Sequence, residues 1–322
     1  MVLGKKYTIL LAALIRMYIH FMNTDSRRKA VPLNRRFIVH QTEETNMNLS
    51  LTVFQAAFGF YSRLMPAKAA SKAVELMTSP RIKTERRNSS RTLFERVVPL
   101  SNDGLLSIYG VGPKKILLLH GWSGWIGQFK DLISEIDPQE YTIYAVHPAG
   151  HGESPATESH PGRFIEAVLE AHQYAGSSFD VGVGHSLGAA ALVYAQSTRN
   201  CFERLVLVSG PATIEGVLSR FARFVNLGER SKRLFVNDME KTVGLSVDRL
   251  DLVALAPSIE TPVLLIHDDR DIEVPVAESR ALHAAFPRSR LTHTTGYGHS
   301  RLLQKPEVIK EIVEFSNSPF RP

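Results

Sequence analysis

Five residues, Gly184-His185-Ser186-Leu187-Gly188, constrain this chain more than any other stretch. They come after an apolar run, Phe179-Asp180-Val181-Gly182-Val183, and open an alanine-rich one, Ala189 to Gln196. That context reads as a strand, a tight turn and a helix. Glycines on both sides of Ser186 suit a strained turn in which strand and helix approach closely. Such a turn lifts a hydroxyl clear of the sheet edge, and the helix N-terminus sets backbone N–H groups beside a developing oxyanion. The same five-letter pattern also occurs in turns that do no chemistry, so its weight depends on the residues further along the chain.

Two later segments offer candidates for the acid and the base that a serine nucleophile needs. Residues 262–275 form an apolar run ending in His267-Asp268-Asp269-Arg270-Asp271-Ile272-Glu273-Val274-Pro275, an acidic loop at the C-terminal end of an expected strand. Residues 296–302 place His299 after a glycine-rich loop, just beyond the strand-like run 290–295. A serine hydroxyl is a poor nucleophile at neutral pH. A neutral imidazole takes its proton, and a carboxylate holds the imidazole tautomer and stabilises the imidazolium. Within the acidic loop Asp268, Asp269 and Asp271 all compete as the acid. Asp268 and Asp269 also fit turn residues that accept backbone hydrogen bonds. His293 is a rival base, although its β-propensity surroundings suit a sheet-face histidine.

Taken together, Leu119-His120-Gly121-Trp122, Gly150-His151-Gly152-Glu153-Ser154, Gly184–Gly188, Asp271–Pro275 and Gly298-His299 resemble the α/β-hydrolases over roughly residues 92–317. The resemblance implies Ser186 as nucleophile, Asp271 as acid and His299 as base. It implies backbone N–H groups of Trp122 and Leu187 as the oxyanion hole, with His120 orienting that loop. His185 reads as a packed histidine. The chain departs from the family at His147-Pro148-Ala149, where many members carry an acidic residue. Either that position is structurally tolerant or His147 lines the pocket.

The chain has 322 residues, room for one hydrolase core and an appendage. The single cysteine, Cys201, excludes an intramolecular disulfide and cysteine-based zinc sites. No metal, nucleotide or other cofactor is implied by any motif. Residues 1–100 carry 17 Lys+Arg against 6 Asp+Glu, whereas residues 101–322 carry 21 against 26. The basic excess therefore belongs to the N-terminal third, and without interleaved aromatics it does not point to nucleic acid.

The expected fold class is α/β: a mostly parallel central sheet flanked by helices, with a small helical cap and an N-terminal helical extension. Strands are expected at 92–98, 104–110, 115–119, 141–146, 179–184, 204–209, 262–267 and 290–295. Helices are expected at 125–136, 163–175, 187–199, 276–286 and 300–316. Residues 1–91 form a basic N-terminal extension. Within it, Phe54, Phe58 and Tyr61 share one face of a helical stretch that Pro66 divides. Residues 92–322 form the hydrolase domain, with a cap insertion at about 210–261 built of short helices. Residues 1–22 read as a surface helix, a membrane-interface helix or sequence upstream of the true start. Residues 23–50 read as a polar linker and 79–91 as a charged connector. The expected location is cytoplasmic, with weak membrane-surface contact through the basic N-terminal region. The expected partner is a small-molecule ester or acyl substrate, and the oligomeric state is open. The leading activity is hydrolysis of a carboxylic ester through an acyl-enzyme. Thioesterase or acyltransferase chemistry with the same triad, and a ligand-binding role on the same scaffold, stay open.

Overall fold

In the computed structural model, residues 50–82 and 94–319 are described. The expectations placed on residues 1–49 and 83–91 lie outside the described residues. The chain divides into two compact units. The larger, residues 77–217 and 240–322, is built on an eight-stranded sheet with spatial order β1-β2-β4-β3-β5-β6-β7-β8. Its strands are β1 (Arg96–Pro99), β2 (Leu105–Tyr109), β3 (Lys114–Leu119), β4 (Tyr141–His147), β5 (Val181–His185), β6 (Leu205–Val208), β7 (Val263–Asp268) and β8 (Ser289–Thr294). β2 is antiparallel to both its neighbours, β1 and β4, and β3 through β8 run parallel. Each of the eight expected strands is present.

Parallel strands covered on both faces read as continuous apolar runs rather than alternating ones. β6, Leu-Val-Leu-Val, and β7, Val-Leu-Leu-Ile-His-Asp, are buried at every position. Side chains still alternate between faces along each strand. Ile116 and Leu118, Val181 and Val183, Val206 and Val208, and Leu264 and Ile266 join one cluster with Phe129, Leu132, Ile309, Ile312 and Phe315. The edge strand β8, Ser-Arg-Leu-Thr-His-Thr, is polar and only partly buried, which discourages pairing with another chain.

The helices α1 (50–64), α2 (Pro66–Thr78), α3 (Lys130–Ser134), α4 (Pro161–Ala175), α5 (Leu187–Arg199), α6 (Ile214–Phe224), α7 (Glu229–Val243), α8 (Leu252–Leu255), α9 (Val276–Ala285), α10 (Gly298–Arg301) and α11 (Pro306–Asn317) complete the described secondary structure, with short 3-10 turns between them. Two expected helices are broken. The stretch 125–136 forms a 3-10 turn, Ile126–Phe129, and then the five-residue α3. The stretch 300–316 is split because Pro306 has no N–H to continue a helix and instead starts α11 at its first turn.

The smaller unit joins residues 50–76 with 218–239 among the described residues. Phe54 and Phe58 are buried within it, their rings 5.5 Å apart. Gln55 Nε2 donates to the Phe224 carbonyl at 2.7 Å, and Ser231 Oγ to the Ser62 carbonyl at 2.8 Å. Pro66 divides the N-terminal helical stretch, as expected from its ring geometry.

Burial predicts a contrast. Phe129 is fully buried in the sheet-face cluster, whereas Ile272 is 95% exposed. Phe129→Ala should destabilise the fold by about 3–5 kcal/mol, and Ile272→Ala by roughly 0.5 kcal/mol or less. Urea midpoints of the two variants check this; equal effects would contradict it.

Candidate active site

Parallel register brings the C-terminal ends of β3 and β5 side by side, with Leu119 opposite Gly184. β4 lies on the other flank of β3, so the chain order reverses here. Open parallel sheets form their clefts at such a switch point. His120–Trp122 after β3 and Ser186 after β5 therefore emerge at one place. A Cβ built on Gly121 would lie 2.8 Å from Ser186 Cβ, which shows how closely the two loops touch.

Ser186 adopts φ 53° and ψ −121°, a left-handed geometry that costs a non-glycine residue stabilisation. Its N–H donates to the Val208 carbonyl at 2.8 Å, and α5 begins at the next residue. Gly188 is required by close approach: a Cβ there would sit 2.4 Å from the Leu119 carbonyl oxygen. The His120–Gly124 loop is pinned from three sides. His120 Nδ1 donates to the Gly121 carbonyl at 2.9 Å, and Gly124 N donates to the same oxygen at 3.0 Å. Ser123 N donates to His151 Nε2 at 3.0 Å, which gives the Gly150-His151-Gly152 loop its part in shaping the site. The Trp122 ring packs edge-on against His151, 4.9 Å between centroids.

Among the three rival carboxylates, Asp271 contacts His299. His299 Nδ1 lies 2.7 Å from Asp271 Oδ2, while Asp271 Oδ1 accepts from the amides of Glu273 at 2.9 Å and Val274 at 3.0 Å. Burial alone would raise the Asp271 carboxyl, but hydrogen bonds from His267 and His299, the His299 charge and the Val274 amide outweigh it and hold the group well below the usual carboxylate range. Asp268 is fully buried and accepts from Arg270 N, Gly296 N, Tyr297 N and Thr294 Oγ1, tying the end of β7 to the loop that carries His299. Despite burial, these bonds bring it down to about 2. Asp269 faces outward, 3.3 Å from His293 Nδ1 and 3.7 Å from Arg280.

His185 is more than packing. Its Nε2 donates to the His299 carbonyl at 2.9 Å, and the two rings lie 4.8 Å apart. The residue beside Ser186 therefore anchors the residue that carries the imidazole. Among the described residues no hydrogen bond joins Ser186 to His299 directly. Such bonds are often long in unliganded enzymes and tighten with substrate.

Sequence reasoning missed His267, which lies fully buried behind Asp271 with Nε2 3.3 Å from Oδ2. That nitrogen donates to the Val274 carbonyl at 2.9 Å, and Nδ1 lies 2.5 Å from Ser279 Oγ. It also missed Glu273, whose Oε2 stands 3.8 Å from His299 Nε2. The departure at His147 is structural: the ring is fully buried, 3.0 Å from Ser107 Oγ and 6.5 Å from the His120 ring. Among the described residues no group of three or more His, Cys, Asp or Glu could hold a metal ion. No helix among them is long and apolar enough to cross a membrane. Cys201 is buried, and burial pushes its thiol up to about 11, so it is no nucleophile at neutral pH.

Burial brings His120 down to about 4, and His147 and His185 to about 3. Each folded value lies below the unfolded one near 6.5. The unfolded chain therefore binds more protons below that pH, and stability falls as pH drops towards the folded values. At pH 5 the loss should be roughly 1–2 kcal/mol per histidine relative to pH 7. Urea unfolding at the two pH values measures it; an unchanged midpoint would contradict three neutral buried imidazoles.

A profile described as "Alpha/beta hydrolase family" matches residues 116–312. A pimeloyl-[acyl-carrier protein] methyl ester esterase from Xanthomonas axonopodis pv. citri is 25% identical over 249 residues, covering 65% of this chain and 96% of that protein. Among solved structures, a monoacylglycerol lipase from Paleococcus ferrophilus aligns at TM-score 0.54 with 19% identity, over 69% of this chain and 98% of its own. An esterase from Rhodococcus sp. ECU1013 aligns at 0.52 with 18% identity, over 70% and 98%. With its strand order, the tight turn at Ser186 and the span of that match, the chain belongs to the alpha/beta hydrolase family.

Proposed function

We propose that the chain hydrolyses a carboxylic ester through an acyl-enzyme, with Ser186 as nucleophile, His299 as base and Asp271 as its partner. The observation that carries this reading is the 2.7 Å contact between His299 Nδ1 and the buried Asp271 carboxylate, in a segment that His185, the residue beside Ser186, holds through the His299 carbonyl. The carboxylate fixes the proton on Nδ1 and leaves Nε2 as the basic nitrogen.

Ser186 Oγ attacks the ester carbonyl carbon while Nε2 takes its proton. The carbonyl π pair moves to oxygen, which the N–H groups of Trp122 and Leu187 stabilise; one such donor is typically worth about 3–4 kcal/mol of barrier. The oxyanion collapses, the C–O bond to the alcohol breaks, and Nε2–H protonates the departing oxygen. Water, deprotonated by the same nitrogen, then attacks the acyl carbon, releasing the acid and restoring Ser186. Relatives named for ester hydrolysis favour water and an oxygen ester over thioester or acyl-transfer chemistry.

Stopped-flow hydrolysis of p-nitrophenyl esters of increasing acyl length tests this. The parent should give a p-nitrophenol burst equal to the enzyme concentration. Ser186→Ala should lose the burst, with turnover down by about 10⁴-fold or more. A burst that survives Ser186→Ala, or no turnover by the folded parent, would overturn the reading.

A further inference from the structure

The geometry points to Glu273 as the alcohol-side subsite of this enzyme, selecting esters whose alcohol carries a positive charge close to the ester oxygen. The inference rests on the esterase reading, in which His299 Nε2 delivers the proton to the leaving alcohol. Whatever stands beside Nε2 stands beside that alcohol. Glu273 Oε2 lies 3.8 Å from Nε2. A leaving oxygen within hydrogen-bond reach of Nε2, about 3 Å, brings an ammonium two carbons further on into range of that carboxylate.

The placement is held by the backbone. Glu273 N donates to Asp271 Oδ1 at 2.9 Å, so the turn that holds the acid also sets where residue 273 emerges. The neighbouring carboxylates are engaged elsewhere. Asp271 is fixed by two amides and the two imidazoles, Asp268 by four hydrogen bonds, and Asp269 faces His293 and Arg280. Glu273 is the member of this loop whose carboxylate meets Nε2, and its side chain is 66% exposed, open to an incoming group. A carboxylate there attracts ammonium alcohols and repels alcohols bearing phosphate or carboxylate.

The test compares acetylcholine with its neutral isostere, 3,3-dimethylbutyl acetate, so that shape is constant and charge alone differs. Expected is a kcat/KM ratio above one in the parent, falling about threefold in Glu273→Gln and further in Glu273→Lys. In the parent, 0.5 M NaCl should move the ratio towards that of Glu273→Gln, since an exposed pair is screened. A ratio that is the same in parent and Glu273→Gln would overturn the subsite. So would failure with both esters by a parent that hydrolyses p-nitrophenyl acetate. Failure with all three esters and with p-nitrophenyl esters of every longer acyl length would remove the esterase reading itself, and the subsite with it.

Discussion

The structure depends on a backbone that is held where it would not rest. Ser186 sits at positive φ, at a cost of about 1–3 kcal/mol, because everything around it leaves no alternative. β5 ends in a hydrogen bond from Ser186 N to β6, α5 starts at the next residue, and Gly188 lies against the carbonyls of Leu119 and His120. The packed sheet meets this cost. Its central strands are buried throughout and have no register in which the turn could relax. A hydroxyl presented at the end of a rigid strand needs little reorganisation to react.

The second half of the site is built by anchoring a charge. The Asp271 carboxylate is buried, a costly position made stable by its amide and imidazole partners. Asp268 does for the loop what Asp271 does for the imidazole, gathering the amides of residues 296 and 297 onto the end of β7. His185 closes the circuit through the His299 carbonyl. Three segments far apart in the chain are thereby fixed by hydrogen bonds whose loss would leave buried polar groups unpaired.

Much of this was legible in the residues. Buried parallel strands advertise themselves as runs such as Leu205–Val208, and Gly184–Gly188 between a strand and a helix leaves few other turns available. What escaped was of two kinds. Pro306 was a visible signal that a continuous helix over 300–316 overlooked. The 3-10 turn at 126–129 was less visible, because Ile126 and Phe129 are buried at a spacing that an α-helix also allows. His267, Glu273 and the anchoring role of His185 had no signal in periodicity. The roles of Glu273 and His185 depend on loops 26 and 114 residues from His299 meeting it, and that of His267 on which way its ring points at the end of β7, towards Asp271 four residues on. His147 could be noticed as an oddity, yet only its full burial beside Ser107 shows that it packs rather than lining a pocket.

In the proposed mechanism Asp271 and His299 make Ser186 reactive. The most direct measurement is the rate at which a fluorophosphonate phosphonylates the protein, with the adduct mapped by mass spectrometry, in the parent and in Asp271→Asn. One adduct is expected, on Ser186, formed roughly 10³–10⁴ times more slowly in the variant because the imidazole loses its tautomer and its counter-charge. Equal labelling rates in the two proteins, or an adduct elsewhere in the chain, would contradict it.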